Sequence, residues 1–346
     1  AGEDRPNKLK MTMPGRFFLQ KFFREALEAG CDTVVLEMSS EGAKQFRHRA
    51  IALDAFIFLN LAPEHIESHG SYEKYRDAKV SMARQLNRSS KPDRHLIVNG
   101  DDVEHTHFVN AVGSEVSVHR YHLSEAEPYS ETSPPLTFTF RGTEIASPLR
   151  GTFQLTNILA ALTYCETRGV PVSTMKRALE EYRGTPGRVE QVETELPFEV
   201  YVDYAHTSGS LEALYKAFAG YTIIGVLGNA GGGRDTWKRP EMARVADQCC
   251  SHIILTNEDP YDEDPREIVR QMEQGIENTE YEVIMDRRQA IHRALEVAAE
   301  HATEPTNKVA VLITGKGTDP YIMGPNGSKE LWNDRDVTQE ELATLS

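Results

Sequence analysis

The sequence contains few cysteines and no apolar run longer than a strand. The 346 residues include four cysteines, none in a CxxC spacing and all inside apolar segments: Cys31, Cys165, Cys249 and Cys250. They predict reduced core thiols and support neither a disulfide framework nor a zinc site. The longest apolar runs, such as residues 309–314, are strand-length, and residues 1–10 lack a hydrophobic signal core. We expect a cytoplasmic protein with no membrane partner.

Positive charge is also scarce. The chain has 38 Lys plus Arg against 53 Asp plus Glu, a formal net charge of −15, and it contains no basic block. This composition disfavours nucleic-acid binding but does not exclude a local anion site. A length of 346 residues favours two domains of ordinary size.

Helices and strands alternate in the first part of the chain. Residues 17–29 have the spacing of an amphipathic helix, and TVVLEMSS, residues 33–40, reads as a short buried strand. A strand at 55–62, a helix at 72–86 and a strand at 95–99 follow. This order predicts a parallel sheet with crossover helices.

The pattern changes to a period of two between residues 116 and 147, where VSVHRY, LTFTF and TEIAS alternate. We interpret this region as a small antiparallel insert. After Arg188, helices again separate the strands FEVYVDYA, TIIGVLGNA, HIILTNE and VAVLITG. The sequence therefore predicts an α/β protein of two domains, residues 1–184 and 185–346, each with its own parallel sheet.

Lys79 lies where a core residue is expected. Tyr72, Tyr75, Met82 and Leu86 follow the three-and-four spacing of one helix face, and Lys79 is in the middle of that face. Two interpretations are open. Either the stem is buried and the ammonium reaches water, or the amine is desolvated, so that its pKa falls and the neutral form can react.

Glu37 and His65 each follow an apolar segment, VVL and AFIFLNL respectively. In an open parallel sheet, ligands bind beyond the carboxyl ends of the strands, so both residues are candidates for such a site. A carboxylate with an imidazole is a plausible metal pair. The alternative for the histidine is an ordinary surface residue in a loop.

Two strand ends in the second half carry polar clusters. Residues 203–207 read Asp-Tyr-Ala-His-Thr, and residues 228–235 form a glycine-rich loop. Arg234, Lys238 and Arg239 add positive charge there, which favours an anion site. A loop that only turns between strand and helix explains the same glycines.

No GxxxxGK[ST] phosphate loop occurs in the sequence. The run from Gly315 to Thr318, GKGT, follows the strand VAVLIT, but Ala310 stands where the upstream glycine would be. A nucleotide-dependent reaction needs a phosphate cradle that this sequence does not show.

These motifs together resemble the Mur ligases. The order VLEMSS, NLAPEH, IVNGDD, GTFQLTN, PGRVE, VDYAHT, LGNAGGGRDTWKRP, TNEDPYDEDP, ITGKGTD and NDRD is similar to that of the UDP-N-acetylmuramoyl-tripeptide synthetases, which add the third amino acid to the peptidoglycan precursor. The resemblance covers nearly the whole chain. It implies a central P-loop-type domain, incomplete at its start, a Rossmann-like C-terminal domain and a monomer.

The resemblance implies a role for each matching residue. It assigns magnesium binding to Glu37, His65 and Lys79, with Lys79 carbamylated to N6-carboxylysine. It assigns ATP contacts to Asn157, Arg188, Asp203 and His206. It assigns the UDP-sugar peptide to Thr12, Ser39, Ser40 and Arg47, and the amino-acid substrate to Asp259, Tyr261, Gly315 and Asp319.

The implied reaction is acyl phosphate formation at the expense of ATP, followed by attack of the incoming amine. No protein nucleophile is required, and the sequence shows no Ser-His or Cys-His arrangement. The alternatives are a folylpolyglutamate synthase-like ligase and a non-catalytic binding protein derived from a ligase.

The sequence departs from the family pattern within four of its motifs. Glu41 replaces the histidine after the paired serines, and Gln154 replaces the first asparagine of FNxxN. Tyr261 stands where diaminopimelate-adding members have the arginine of DNPR, and Asp319 replaces the glutamate of GKGHE. The amino acid therefore stays open between lysine, diaminopimelate and another amine.

The chain begins with Ala1 rather than Met. We expect that the phosphate loop and an N-terminal UDP-binding domain lie upstream of it. On that expectation, the chain alone has negligible ligase turnover.

Overall fold

Parallel strands separated by helices make up both halves of the chain, as the sequence predicts. The computed structural model describes residues 12–64, 66–130, 135–233, 235–304 and 306–345. The described chain divides into two compact units. The first contains the residues up to Glu125 and Thr156–Pro171, and the second contains Ala126–Leu155 and the residues from Val172 onward. The domain division at residue 184 stays a prediction.

The first unit is built on a three-stranded parallel sheet of order β1-β2-β3. Its elements are α1 (Arg16–Glu28), α2 (Ser40–Lys44), β1 (Ala55–Phe58), α3 (Ile66–His69), α4 (Tyr72–Ala83), β2 (His95–Asn99), α5 (His105–Val109) and β3 (Ser117–Tyr121). The apolar side chains of β1 and β2 pack with Tyr75, Leu86 and Phe108 in one core. This core fixes α4, the helix that carries Lys79.

Two predictions for this unit are wrong. Residues 33–39 form no strand, and Val35 is 90% exposed. Their apolar pattern suits a strand, but a strand needs a partner ladder, and in the described sheet no strand pairs with them. The segment VSVHRY does not belong to an antiparallel insert, because β3 pairs with β2 in parallel.

The second unit contains a hairpin, two short antiparallel strands and a larger sheet. Its elements are β4 (Leu136–Phe140), β5 (Thr143–Ser147), α7 (Val172–Glu181), β6 (Glu190–Val192), β7 (Glu199–Asp203), α8 (Ser208–Lys216), β8 (Thr222–Leu227), α9 (Lys238–Cys249), β9 (His252–Leu255), α10 (Pro265–Glu273), β10 (Glu280–Val283), α11 (Arg287–His301), β11 (Val309–Thr314), β12 (Tyr321–Met323), β13 (Lys329–Leu331) and α12 (Asp334–Leu345). A further helix, α6 (Thr152–Thr167), begins in this unit and continues in the first. The β4–β5 hairpin confirms the predicted antiparallel pair LTFTF and TEIAS.

The large sheet has the order β10-β9-β8-β11-β7-β6, and β6 alone among these strands runs antiparallel to its neighbour. Residues of α8, α9 and α10 pack on one face, and residues of α11 and α12 pack on the other. β8, β9 and β11 have no exposed residue, as expected of strands covered on both faces. The carboxyl ends of β7, β8, β9 and β11 therefore meet at one edge.

No helix in the described part of the chain is long and apolar enough to cross a membrane.

The close approach of α9 and α10 depends on a glycine. A Cβ at Gly275 would lie 2.0 Å from the carbonyl oxygen of Pro240. Gly275→Ala must push the two helices apart, so we expect a loss of about 1–3 kcal/mol in the free energy of unfolding. Gly209→Ala is the control, because a Cβ there meets nothing within 4 Å and the residue lies in α8. The control is expected to be neutral or stabilising by up to about 1 kcal/mol in urea denaturation. Equal stabilities of the two variants would contradict the packing described.

Candidate active site

A buried ion pair lies at the carboxyl edge of the large sheet. Lys316, just beyond β11, is 1% exposed, and its Nζ is 2.8 Å from both carboxylate oxygens of Asp259, which lies beyond β9. The backbone N–H of Met323 also donates to Asp259 Oδ1 at 2.7 Å. Asp319 Oδ2 is 3.7 Å from Lys316 Nζ. The structure thus brings together the predicted residues Asp259 and Asp319 around a lysine.

Glu258 lies beside this pair and is a residue that the sequence analysis did not assign. It is 4% exposed, and its Oε2 has no hydrogen-bond partner among the described residues. Burial raises the pKa of Glu258, against the opposing effect of Arg287 and Lys316. An unpaired buried carboxylate oxygen is costly, which makes it a candidate for binding a cation or donating group of a ligand. The sequence signal that could have indicated it is an acidic pair, Glu258 and Asp259, which follows the apolar strand β9 after two polar residues.

Gly315 is required by this arrangement. Its φ is +106°, and a Cβ at this position would lie 2.1 Å from Glu258 Oε2. The unpartnered oxygen therefore lies directly against the backbone of a predicted site residue. Tyr261 stands where the family motif DNPR has its arginine. It has a φ of 53° and donates its backbone N–H to the carbonyl of Met323 at 3.0 Å. The loops after β9 and β11 are thus held together by main-chain and side-chain contacts.

Three of the predicted ATP residues lie next to each other at the end of β7. Asp203 is buried, and its carboxylate accepts hydrogen bonds from the backbone N–H groups of Val189 and Ala205, each at 2.7 Å. Burial raises the pKa of Asp203. Arg188 is exposed, with its guanidinium carbon 4.3 Å from the centre of the Tyr204 ring. The His206 ring packs edge-on against the same tyrosine at 4.9 Å.

Close backbone packing connects this group to the loop after β11. Gly187 has a φ of +66°, and a Cβ there would lie 2.6 Å from the backbone nitrogen of Thr318. Arg188 is the next residue, so this contact fixes the backbone position from which its exposed side chain extends. An exposed guanidinium on an aromatic ring suits an anion or a flat base. The fourth predicted ATP residue, Asn157, lies exposed on α6.

Arg239 holds the glycine-rich loop after β8 in place through hydrogen bonds and an ion pair. This side chain is fully buried and forms an ion pair with Glu263 at 2.9 Å. It also donates to Asn229 Oδ1 and to the carbonyl of Ala230, each at 3.4 Å. The expectation that Arg239 supplies charge to an anion site is therefore wrong, because its donors are used inside the protein. Arg234 lies outside the described residues.

The first unit places Lys79 near two carboxylates. Burial lowers the pKa of Lys79, and Glu64 and the predicted Glu37 act on it electrostatically in the opposite direction. Its Nζ is 5.0 Å from the centre of the Tyr75 ring. The Lys79 side chain is part-buried, and burial is the largest effect on its pKa, which supports partial desolvation of the amine. Glu64 is an addition that the sequence analysis missed.

The predicted metal set is described only in part. His65 lies outside the described residues. Within the described ranges, no group of three or more His, Cys, Asp and Glu side chains is arranged to hold a metal ion. Magnesium binding by Glu37, His65 and Lys79 stays a prediction.

The predicted UDP-sugar residues surround α2. Ser39 caps the N-terminus of the helix, where its Oγ accepts from the backbone N–H of Gly42 at 3.2 Å. Ser40 is buried, with its Oγ 3.2 Å from His69 Nε2. Arg47 donates to the carbonyl of Met13. Thr12 is exposed and precedes Met13, so the structure brings all four predicted residues to one short helix.

A mostly parallel α/β sheet with charged loops at its carboxyl edge places this chain in the class of open α/β proteins that bind ligands at that edge, and comparison with known proteins gives the family. Residues 2–165 match the Mur ligase middle domain, and residues 187–317 match the Mur ligase, glutamate ligase domain. Together with the relatives described next, these matches show that the chain belongs to the Mur ligase family.

Curated relatives carry two related names. The UDP-N-acetylmuramoyl-L-alanyl-D-glutamate--2,6-diaminopimelate ligase of Halalkalibacterium halodurans is 33% identical over 342 residues, covering 96% of this chain and 68% of that protein. The UDP-N-acetylmuramoyl-L-alanyl-D-glutamate--L-lysine ligase of Staphylococcus aureus is 31% identical over 330 residues, covering 92% of this chain and 65% of that protein.

Solved structures agree with the fold. A structure of a UDP-N-acetylmuramoyl-L-alanyl-D-glutamate--2,6-diaminopimelate ligase aligns with a TM-score of 0.60 at 26% identity and covers 96% of this chain and 69% of that one. Folylpolyglutamate synthase of Mycobacterium tuberculosis, complexed with ADP and AMPPCP, aligns with a TM-score of 0.62 at 17% identity over 77% of this chain and 62% of that one. The second likeness concerns the fold alone.

Glu258 should make stability depend on pH. Because burial raises the pKa of Glu258, the folded carboxyl retains its proton at pH values where the unfolded one ionises. Stability is therefore lost as pH rises from the ordinary glutamate pKa of 4.5 through the higher folded value. Glu258→Gln removes this loss. We expect the stability of the variant relative to the parent to increase with pH, by about 1.4 kcal/mol per unit of pKa shift.

Urea denaturation at several pH values between about 4 and 8 measures this effect. Glu277→Gln is the control, because Glu277 is exposed. A constant difference between Glu258→Gln and the parent across that range would show that Glu258 ionises as an ordinary carboxyl.

Proposed function

We propose that this chain supplies the nucleotide-binding and amino-acid-binding parts of an ATP-dependent ligase that adds the third amino acid to a UDP-N-acetylmuramoyl dipeptide in peptidoglycan synthesis. Membership of the Mur ligase family and the names of the relatives support it. The observation that carries it is the buried group of Glu258, Asp259 and Lys316 at the carboxyl edge of the large sheet. In open α/β sheets this edge is where ligands bind.

The proposed reaction has two steps. A carboxylate oxygen of the dipeptide attacks the γ-phosphorus of ATP, the bond to the bridging oxygen breaks, and ADP leaves. The amine of the incoming amino acid then attacks the acyl phosphate, forms the amide and releases phosphate and a proton. Substrate groups supply the nucleophile in both steps, so the protein has to bind, orient and neutralise charge.

We propose that residues of the first unit hold a magnesium ion. Glu37 and Glu64 offer carboxylate oxygens, the ligand type that Mg²⁺ prefers. Lys79, with its pKa lowered by burial, is suited to take up carbon dioxide, and the resulting N6-carboxylysine adds an oxygen ligand. The predicted ligand His65 completes the proposed set. Bound Mg²⁺ would disperse the charge on the phosphoryl group during its transfer.

The second unit provides contacts for ATP and the amino acid. Arg188 and His206 on Tyr204 form an exposed surface for the nucleotide, while Asp203 holds the loop between them. Glu258 Oε2 has no hydrogen-bond partner among the described residues, so the ionised carboxylate is an acceptor for an ammonium group, whose positive charge favours that ionised form. We therefore favour an amino acid with an amine in its side chain, a class that includes both lysine and diaminopimelate.

The assay uses the protein expressed from its complete reading frame. We expect phosphate release from ATP that requires both UDP-N-acetylmuramoyl-L-alanyl-D-glutamate and lysine or diaminopimelate. Glu258→Gln should raise the KM of the amino acid by about 10–100-fold, because one charge-assisted hydrogen bond is lost. The KM of ATP should stay unchanged. Release that instead requires a pteroyl substrate and glutamate would replace the proposal with the folylpolyglutamate reaction.

Lys79→Ala tests the modified lysine. We expect a loss of turnover of at least about 100-fold, because the proposed carbamate oxygen is missing. With ¹³C-bicarbonate, the parent should show a carbamate carbon signal in NMR that Lys79→Ala lacks. The control is Lys74→Ala, because Lys74 is an exposed lysine on the same helix α4. This variant should retain both the turnover and the carbamate signal. Full turnover in Lys79→Ala without added short carboxylates contradicts a carbamate role.

A further inference from the structure

Arg287 and Asp334 form a fully buried ion pair at the carboxyl edge of the large sheet. Their side chains are 1% and 0% exposed. Arg287 donates from Nε to Asp334 Oδ1 at 2.8 Å and from Nη2 to Oδ2 at 2.7 Å, so the pairing is bidentate. The indole N–H of Trp332 donates to the same Asp334 Oδ1 at 2.7 Å. This carboxylate is held in one position from two sides.

The same guanidinium also binds two backbone carbonyls. Nη2 donates to the carbonyl of Thr314 at 2.8 Å, and Nη1 donates to the carbonyl of Asn257 at 3.3 Å. Thr314 is followed by Gly315, and Asn257 is followed by Glu258. Arg287 therefore joins the two loops from which the proposed amino-acid site is built, at the residues immediately before that site.

A buried ion pair is a poor source of stability, because the cost of desolvating two charges often exceeds their attraction. Two apolar residues at these positions would fill the core between α11 and α12 as well. Neither apolar side chain, however, would bind the carbonyls of Thr314 and Asn257. The N–H groups of Arg287 donate to the Asp334 carboxylate and to the two loop carbonyls. This arrangement points to a role in positioning the loops rather than in net stability.

We propose that Arg287 and Asp334 are positioning residues that fix the loops after β9 and β11, and with them the separation of Glu258 from Lys316. Asp334 orients the guanidinium, and the guanidinium holds the two carbonyls. The effect on substrate rests on the proposed function, whereas the effect on the loops does not.

The test is the double variant Arg287→Met with Asp334→Leu. It removes both charges together, so that neither is left buried without its partner. We expect a folded protein in which the backbone amides of Glu258, Gly315 and Lys316 exchange with deuterium at least about 10-fold faster. The KM of the amino acid should rise by at least about 10-fold, while kcat at saturation and the KM of ATP change by less than about 3-fold.

The control is a second ion pair between the same two helices. Arg288 Nη1 is 2.7 Å from Glu341 Oε1, and Arg288 is 44% exposed. The control double variant Arg288→Met with Glu341→Leu removes a link between α11 and α12 that does not reach either loop. Parent-like exchange and KM are expected. Equal changes in the two double variants would assign the effect to helix packing and overturn the proposal.

Two further outcomes are decisive. Parent-like exchange at Glu258, Gly315 and Lys316 in the folded Arg287→Met, Asp334→Leu protein overturns the proposal, whatever the activity. If that variant does not fold, Arg287→Lys replaces it, since lysine retains the charge but lacks the planar fork that reaches both carbonyls. Parent-like exchange in Arg287→Lys then overturns the proposal. If the parent has no ligase activity, the proposed function fails and exchange alone decides the positioning role.

Discussion

The ion pair between Lys316 and Asp259 joins the ends of β11 and β9, two strands that flank β8 in the sheet. A lysine that is 1% exposed needs a carboxylate in contact, because an isolated buried ammonium costs several kcal/mol or more. The pair therefore fixes how the loops beyond these strands meet. Glu258 lies beside Asp259, its Oε2 has no hydrogen-bond partner among the described residues, and glycine is the only residue type that fits at position 315 against that oxygen. The amino-acid site of the proposed ligase follows from this one constraint.

The two units contribute different chemistry to the proposed reaction. In the first, α4 partly buries Lys79, and the carboxylates of Glu37 and Glu64 are near enough to act on it electrostatically. The result is an amine whose pKa is lowered, in a setting rich in oxygen donors. In the second, the strands end in charged loops that we propose bind the nucleotide and an ammonium group of the amino acid. In both units part of the proposed chemistry depends on a partly or fully buried charged group, Lys79 in one and Glu258 in the other, that a plain hydrophobic core would leave out.

Local sequence signals predicted the parts of the fold that depend on local structure. The helix Arg16–Glu28, the strand Val309–Thr314 and the β4–β5 hairpin all follow from periodicity and turn residues. Lys79 stood out because a charge interrupts an apolar face. Pairing depends instead on distant partners. The apolar pattern of residues 33–39 therefore predicted a strand that does not form. The alternation of apolar and polar residues could not show that Ser117–Tyr121 pairs in parallel. The buried state of Glu258 was equally invisible, since it depends on Gly315 in another loop.

The central claim is that the dipeptide carboxylate is activated by phosphorylation. The direct measurement uses UDP-N-acetylmuramoyl-L-alanyl-D-glutamate labelled with ¹⁸O in the carboxylate that becomes the new amide, with ATP, the amino acid and the protein from its complete reading frame. Mass spectrometry of the released phosphate follows the label. The account predicts one ¹⁸O atom in each phosphate, because the acyl phosphate oxygen leaves with phosphorus. Amide product accompanied by unlabelled phosphate would contradict it.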